Sequence, residues 1–377
     1  MPEAGERPPG ARRLSFGEAS AEPGILAAWR AAAEARSNPF ITPEWFRAWL
    51  ESHPGEEPWL LAWEDGARIG FLPLTGGRSG PLRVLRFAGA ERGDWFEPAC
   101  APGDEEAMAA ACAELLRGER RSGSLVMLDR VAEGAGSRPG WVGRLGAAGA
   151  RPRHTDVLPF VELGADGYEG YLAGRSRNFR SQLGRRRRKL EREHGLEFRM
   201  TSDASELERD METFFALHEE RWEARGGTGA LSADAKDHHR RFAAAALERG
   251  WLRLWIAEAD GAPAAAWYGW RLGERYLYSL SGLASSYKRL ALGTVLLAWT
   301  IEQAAAEGAA VYDLMWGDDP YKARFETGRR EVGSWLAGRR GHPARRLVEG
   351  ADALIATARR LPPGLKDPAR RLLRRSG

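Results

Sequence analysis

Twice along this 377-residue chain an Asp-Gly pair separates two apolar runs. Residues 59–63 and 68–74 flank Asp65-Gly66; residues 251–258 and 264–272 flank Asp260-Gly261, 195 positions later. Asp-Gly between such runs predicts a hairpin, because the turn needs residues that tolerate positive φ. Each hairpin is followed by a further strand (82–88; 276–283), a helix (105–116; 293–307) and a buried strand (124–129; 310–316). The chain therefore reads as a duplicated α/β protein with an α+β mixed sheet in each half. The length fits two domains, and 43% hydrophobic residues suffice for packed cores.

The expected organisation is a disordered N-terminus (1–20), a first domain (21–165), a basic connecting helix (166–195), a second domain (196–340) and a basic amphipathic tail (341–377). Residues 168–194 are helical in composition and end at Gly195, a good residue for a left-handed helix end. The tail spaces Leu347, Ala351, Leu354, Ile355, Ala358 and Leu361 between pairs of arginines and is interrupted at Pro362-Pro363. Its first reading is a helix docked on the body with arginines outward, ahead of a helix lying on a membrane surface.

Charge is unevenly spread. Residues 175–192 and 338–377 carry +8 each, which leaves −12 on the rest of a chain whose net charge is +4. Two basic stretches on an acidic body suggest an anionic partner at residues 175–192 and at the tail: phosphate groups, a membrane surface or RNA, with no DNA expected. Residues 1–10 lack the apolar region of a signal peptide, and no run of about 18 apolar residues occurs. Cys100 and Cys112 are too few for a disulfide framework. These features predict a soluble, cytoplasmic protein, with the inner membrane face as an alternative docking place.

Chemistry concentrates between residues 251 and 325. A strand leads into Lys288, Arg289, Leu290, Ala291, Leu292, Gly293 and Thr294, which open a helix apolar nearly all round (Val295, Leu296, Leu297, Trp299, Ile301). A helix N-terminus offers unpaired N–H groups and the positive end of the macrodipole; small residues let phosphate oxygens approach, and two cations add charge. A helix with no polar face is buried against a sheet, so strand, loop, helix and strand form an α/β unit with its ligand at the strand ends.

These residues resemble the GNAT acyltransferase superfamily, whose cofactor motif Arg/Gln-x-x-Gly-x-Gly/Ala reads here Lys288-x-x-Ala291-x-Gly293, with two conservative departures. More closely, the Gly-Thr helix start and Gly317-Asp318-Asp319-Pro320-Tyr321-Lys322 resemble the CelD-like, FemAB-related branch of that superfamily. The resemblance covers roughly residues 178–339, through Asn178-Phe179-Arg180, Phe214-Phe215, His218, Arg221 and Asp260-Gly261. It extends more faintly into the first domain through Asn38-Pro39-Phe40, Pro43-Glu44-Trp45 and Asp94-Trp95. It implies two tandem GNAT-like domains and transfer of an acyl group from acetyl-CoA. Tyr321 would be the general acid, Asp318 and Asp319 would receive the acceptor's proton or hold its amine, and Lys322 would stabilise charge. His218, Arg221, Trp222 and Arg225, on one helix, would line the acceptor side, with a core role for His218 equally open. Gly317-Asp318-Asp319-Pro320 is also good turn sequence.

The corresponding loop of the first domain, residues 88–97, holds Glu91, Asp94 and Glu97, which would repel a pyrophosphate. CoA is therefore expected in the second domain only. No catalytic metal is expected: after His218-Glu219-Glu220 the place of a second zinc ligand is taken by Trp222, and His238-His239 point to different helix faces. Three functions compete. One is a CoA-dependent N-acyltransferase acting on a small molecule or glycan, such as an amino sugar or cell-envelope precursor. Another is a Fem-like aminoacyltransferase using aminoacyl-tRNA, and the third a non-catalytic binding protein with a decayed site.

Overall fold

The computed structural model describes residues 10–79, 82–121, 123–132, 140–145, 150–224, 231–317, 319–338, 341, 343, 345–350 and 352. The first-half strands are β1 (Gly10–Leu14), β2 (Glu57–Asp65), β3 (Arg68–Ser79), β4 (Leu82–Phe87), β5 (Ala99–Cys100), β6 (Leu125–Val131) and β7 (Arg151–Glu162). They are followed by β8 (Glu197–Met200), β9 (Leu252–Ala259), β10 (Ala262–Leu272), β11 (Arg275–Leu283), β12 (Val311–Asp313) and β13 (Gly328–Ala337). The helices of the first half are α1 (Phe16–Ala21), α2 (Pro23–Ala35), α3 (Pro43–Ser52), α4 (Glu105–Arg121) and α5 (Trp141–Leu145). Those of the second are α6 (Gly167–Ala173), α7 (Arg177–His194), α8 (Ala204–Glu223), α9 (Ala233–Glu248) and α10 (Leu292–Ala306).

The strands join in one mixed sheet of order β1-β2-β3-β4-β6-β13-β7-β12-β11-β10-β9-β8, with β5 beside β3. Read from either end the pairing is the same: three antiparallel contacts, one parallel (β4–β6; β11–β12), then antiparallel into the centre. Both Asp-Gly turns adopt the expected conformation at their glycines, with φ +61° at Gly66 and +75° at Gly261. The centre carries what the repeat alone does not reveal. β7 leaves the first half to pair with β12 and β13, while β13 returns from the second half to pair with β6. Each half thus receives the other's last strand, and the sheet runs unbroken across residue 165. The buried core is likewise continuous from Leu14 to Ala337.

Helices cover both faces. On β10, Tyr268 and Trp270 meet Phe214 of α8 and Phe242 of α9. Trp267 faces the other way, towards Leu296 and Leu297 of α10 across a cavity, as the two-residue period of a strand requires. Across the halves, Phe40 and Trp45 meet Trp270 edge-on at 5.7 and 6.2 Å. Such aromatic pairs add about 1 kcal/mol each beyond the area they bury.

Three details differ from the sequence expectation. Within residues 1–20, positions 10–14 form β1 against β2, and α1 opens with a reciprocal capping box between Ser15 and Glu18; buried Leu14 anchors this end in the core. Residues 1–9 lie outside the described residues. The connecting helix is two helices, α6 and α7, broken at Gly174 and Arg175, with Ser176 capping Phe179 N–H at 3.2 Å. α7 is docked rather than solvated all round: Phe179, Leu183 and Leu190 are buried, and Arg187 reaches Glu302 of α10 at 2.8 Å. In the tail, residues 345–350 are helical, but Arg345 points inward, 4% exposed, bonded to the Gly338 carbonyl. The remainder, including Leu354, Ile355, Ala358 and Leu361, lies outside the described residues. Among those described, no helix is long and apolar enough to cross a membrane.

Candidate active site

The site begins where β11 ends. A 3-10 turn at Ser285–Tyr287 is braced by Glu220, which accepts from Ser285 N–H at 2.7 Å, and by the Tyr287 hydroxyl, 2.6 Å from Asp260. Ala291 then adopts the left-handed conformation (φ +58°) and caps α10. For a non-glycine residue that conformation costs about 1 kcal/mol, a strain that clusters at functional sites. α10 is apolar over most of its circumference and buried at Leu292, Val295, Leu296, Leu297, Ala298 and Ile301.

Of the seven residues assigned to the cofactor, Lys288, Ala291, Gly293 and Thr294 line one cavity of about 210 Å³. Arg289 is exposed beside it, Leu290 is half-buried, and Leu292 points into the core, so only its backbone faces the ligand side. A Cβ at Gly293 would meet only Leu283, at 3.7 Å, so the helix end stands open. An open helix N-terminus with orphan N–H groups and two cations fits a pyrophosphate. The first half fills the equivalent place with its own acids. At the start of α4 Glu105 accepts from Gly103 N–H at 2.8 Å and pairs with Arg36, while Asp104 pairs with Arg68 at 3.2 Å. Glu91 and Glu97 are likewise held, by Arg86 at 2.9 Å and by Asn38 at 3.1 Å.

The far wall of the cavity is formed by Arg221, Trp267, Tyr278, Ser281 and Tyr321. α8 reaches it because β11 carries Gly282 there; a Cβ would lie 2.5 Å from Leu217 Cβ and 2.7 Å from His218 N. The close approach brings Arg221 to the Ser281 hydroxyl and carbonyl, the latter at 3.2 Å, and His218 Nδ1 to the same carbonyl at 3.1 Å. Tyr321 donates to the Tyr278 hydroxyl at 3.5 Å. Burial, with the Tyr278 hydroxyl beside it, pushes the Tyr321 phenol well above its ordinary value, so it stays protonated. Arg221 is therefore at the cavity, whereas His218 is buried behind it and Trp222 packs on His218 at 6.2 Å. Arg225 lies outside the described residues.

Lys322 is 5% exposed and spends its donors on the carbonyls of Met315 (3.2 Å) and Trp316 (2.7 Å). Burial lowers its pKa, against the pull of Tyr278, Asp94 and Asp319. It therefore ties the loop to the end of β12 rather than projecting into the cavity. Asp319 is exposed, with its carboxylate near Gly317, where a Cβ would lie 3.5 Å from Oδ2. Asp318 lies outside the described residues. Asp94 comes from the first half: its carboxylate accepts from Trp316 N–H and faces Lys322, and burial raises its pKa. Tyr278 and Ser281 were not singled out in the sequence. The available signal was a Ser-Gly step closing an otherwise apolar strand, at the carboxyl end where α/β sheets hold ligands.

The second half has the fold of a GNAT-type acyltransferase domain. Residues 177–323 match the Acetyltransferase (GNAT) domain family. Among solved structures, the chain is similar to the C-terminal domain of a putative lysylphosphatidylglycerol synthetase from Agrobacterium fabrum (14% identity, 88% of this chain and 95% of that one, TM-score 0.56). It is similar also to FemX (11%, 80% and 93%, TM-score 0.57) and to L-PGS from Bacillus licheniformis (12%, 83% and 95%, TM-score 0.50). At these identities the likeness is one of fold, over both halves. No curated protein matches the chain in sequence.

Proposed function

We propose that the chain transfers an acyl group from acetyl-CoA or a related acyl-CoA to the amine of a small-molecule or glycan acceptor, using the second half alone for the donor. The observation that carries this reading is the single cavity shared by the start of α10 and by Arg221, Tyr278 and Tyr321. The thioester supplies an activated acyl carbon and a thiolate leaving group. The N–H groups at Leu292 and Gly293, with Lys288 and Arg289, hold the pyrophosphate. Trp267 and Leu297 shield the reacting end from water. Tyr321, kept protonated by its burial, is the acid for the departing sulfur. Asp319, exposed on the loop just before Tyr321, would hold the acceptor amine at the edge of the cavity. The first half contributes Asp94 and the sheet centre rather than a second donor site.

Thiol release from acetyl-CoA with a panel of amine acceptors tests this. Tyr321→Phe is expected to lower kcat by about 100-fold with the donor Kd unchanged; an unchanged kcat removes Tyr321 from the chemistry.

A second reading is favoured by two observations: the likeness to FemX and to lysylphosphatidylglycerol synthetase domains over both halves, and the exposed arginines of α7. Here the donor is an aminoacyl-tRNA. Binding that weakens steeply with salt and is lost on neutralising Arg185, Arg186, Arg187 and Arg188 supports it; salt-insensitive or absent binding excludes it.

A further inference from the structure

Tyr278, on β11, lines the same cavity as Tyr321, and the two hydroxyls are 3.5 Å apart. The Tyr278 hydroxyl is also 2.5 Å from Ser281 Oγ, to which Arg221 donates. Trp267 stacks on the Tyr278 ring at 5.6 Å and 17°, and the ring is only 7% exposed, so the hydroxyl is held at the cavity wall. Nothing in general acyl transfer demands two phenols in contact under an arginine. Resting on the acyltransferase reading above, we propose that Tyr278 is a second catalytic phenol: the base that takes the acceptor's proton, working with Tyr321 as acid through their direct contact.

The step balances without any further reagent. Tyr278 begins as phenolate and Tyr321 as phenol. The acceptor nitrogen gives a proton to the Tyr278 oxygen as its lone pair forms the bond to the acyl carbon. The carbon–sulfur bond breaks, and the sulfur takes the Tyr321 proton. The Tyr278 proton then crosses to the Tyr321 oxygen, restoring both groups. One proton has moved from the acceptor to the thiol.

The surroundings of the two phenols divide these roles. Burial alone would raise Tyr278, but the Arg221 charge, with hydrogen bonds from Ser281, Tyr321 and Arg221, holds it below the ordinary phenol range. Tyr321 is pushed the other way, by burial and by Tyr278. Neighbours whose environments split their ionisation are the pattern of an acid–base pair. The remaining charged or titratable groups facing Tyr278 are His218 on α8 through the Ser281 carbonyl, Tyr312 on β12, and Lys322, whose charge also favours the phenolate.

The test uses the full chain without donor, titrated with base while tyrosinate absorbance is followed. One tyrosine is expected to ionise below the ordinary value of about 10. That signal should be lost in Tyr278→Phe, and retained but shifted to higher pH in Tyr321→Phe, in Arg221→Gln and in Ser281→Ala, which leaves the core intact. In turnover, Tyr278→Phe should lower kcat about 100-fold and abolish the rise of rate with pH, with the acetyl-CoA Kd unchanged by calorimetry. Wild-type tyrosinate titration and pH–rate profile in Tyr278→Phe overturn the role. Failure of the wild-type chain to bind acetyl-CoA overturns the underlying acyltransferase reading and this role with it.

Discussion

Gly282 shows how one missing side chain builds the site. α8 lies against β11 closely enough that a methyl group there would strike Leu217 and the His218 backbone. Gly282→Ala must push α8 outward, which is expected to destabilise the protein by about 1–3 kcal/mol in urea unfolding. It should also loosen the Arg221–Ser281 contact and weaken donor binding; a neutral effect on both would show that α8 is free to shift. A second residue-scale test is Asp313, fully buried between Arg275 (3.0 Å) and Arg330. Asp313→Ala leaves two part-exposed cations without their shared partner and should cost about 1–3 kcal/mol, measured the same way. Residues at this scale divide by whether their role is local. That Lys288, Gly293 and Thr294 lead into a helix was legible, because a helix N-terminus announces itself in sequence. Tyr278 sits in an unremarkable strand pattern, and only α8, some 60 residues earlier, gives it a charge. Lys322 shows the converse: its motif was visible, yet its donors serve the backbone.

Among the elements, α10 and both hairpins were read correctly because periodicity and Asp-Gly chemistry are local signals. α7 was harder: its arginines dominate the composition, while three buried apolar residues decide where it lies. The contact between α3 and α9 carries a pH dependence. His238 is buried edge-on against Trp45 at 4.4 Å, and burial drops its pKa from 6.5 to about 3. The folded state therefore prefers the neutral ring. Stability is complete above 6.5, the unfolded value, and falls as pH drops from there towards 3, because the unfolded chain binds the extra proton. The expected slope from His238 is up to about 1.4 kcal/mol per pH unit. Urea midpoints from pH 7 to 4 should show it, with the slope reduced in His238→Gln; identical slopes would mean the ring charges without cost.

The whole molecule was half legible. Duplication follows from the repeat, but which strand pairs with which does not, since nothing local to β7 or β13 names its partner. Their exchange makes the boundary near residue 165 a boundary of chain, not of sheet. Residues 196–340 expressed alone lack β7 and should give no cooperative thermal transition, whereas co-expression with residues 1–195 should restore one. A cooperative melt from the isolated fragment would show that the exchange is dispensable. The halves differ most at one point: an open, cationic helix start in the second, and in the first a helix start lined by Asp104 and Glu105, both held by arginines. Calorimetric titration of the full chain with acetyl-CoA reads this difference directly. Saturable binding is expected at one site per chain, abolished by Gly293→Asp, which places a carboxylate at the phosphate position. Two sites per chain, or undiminished binding in Gly293→Asp, would contradict this.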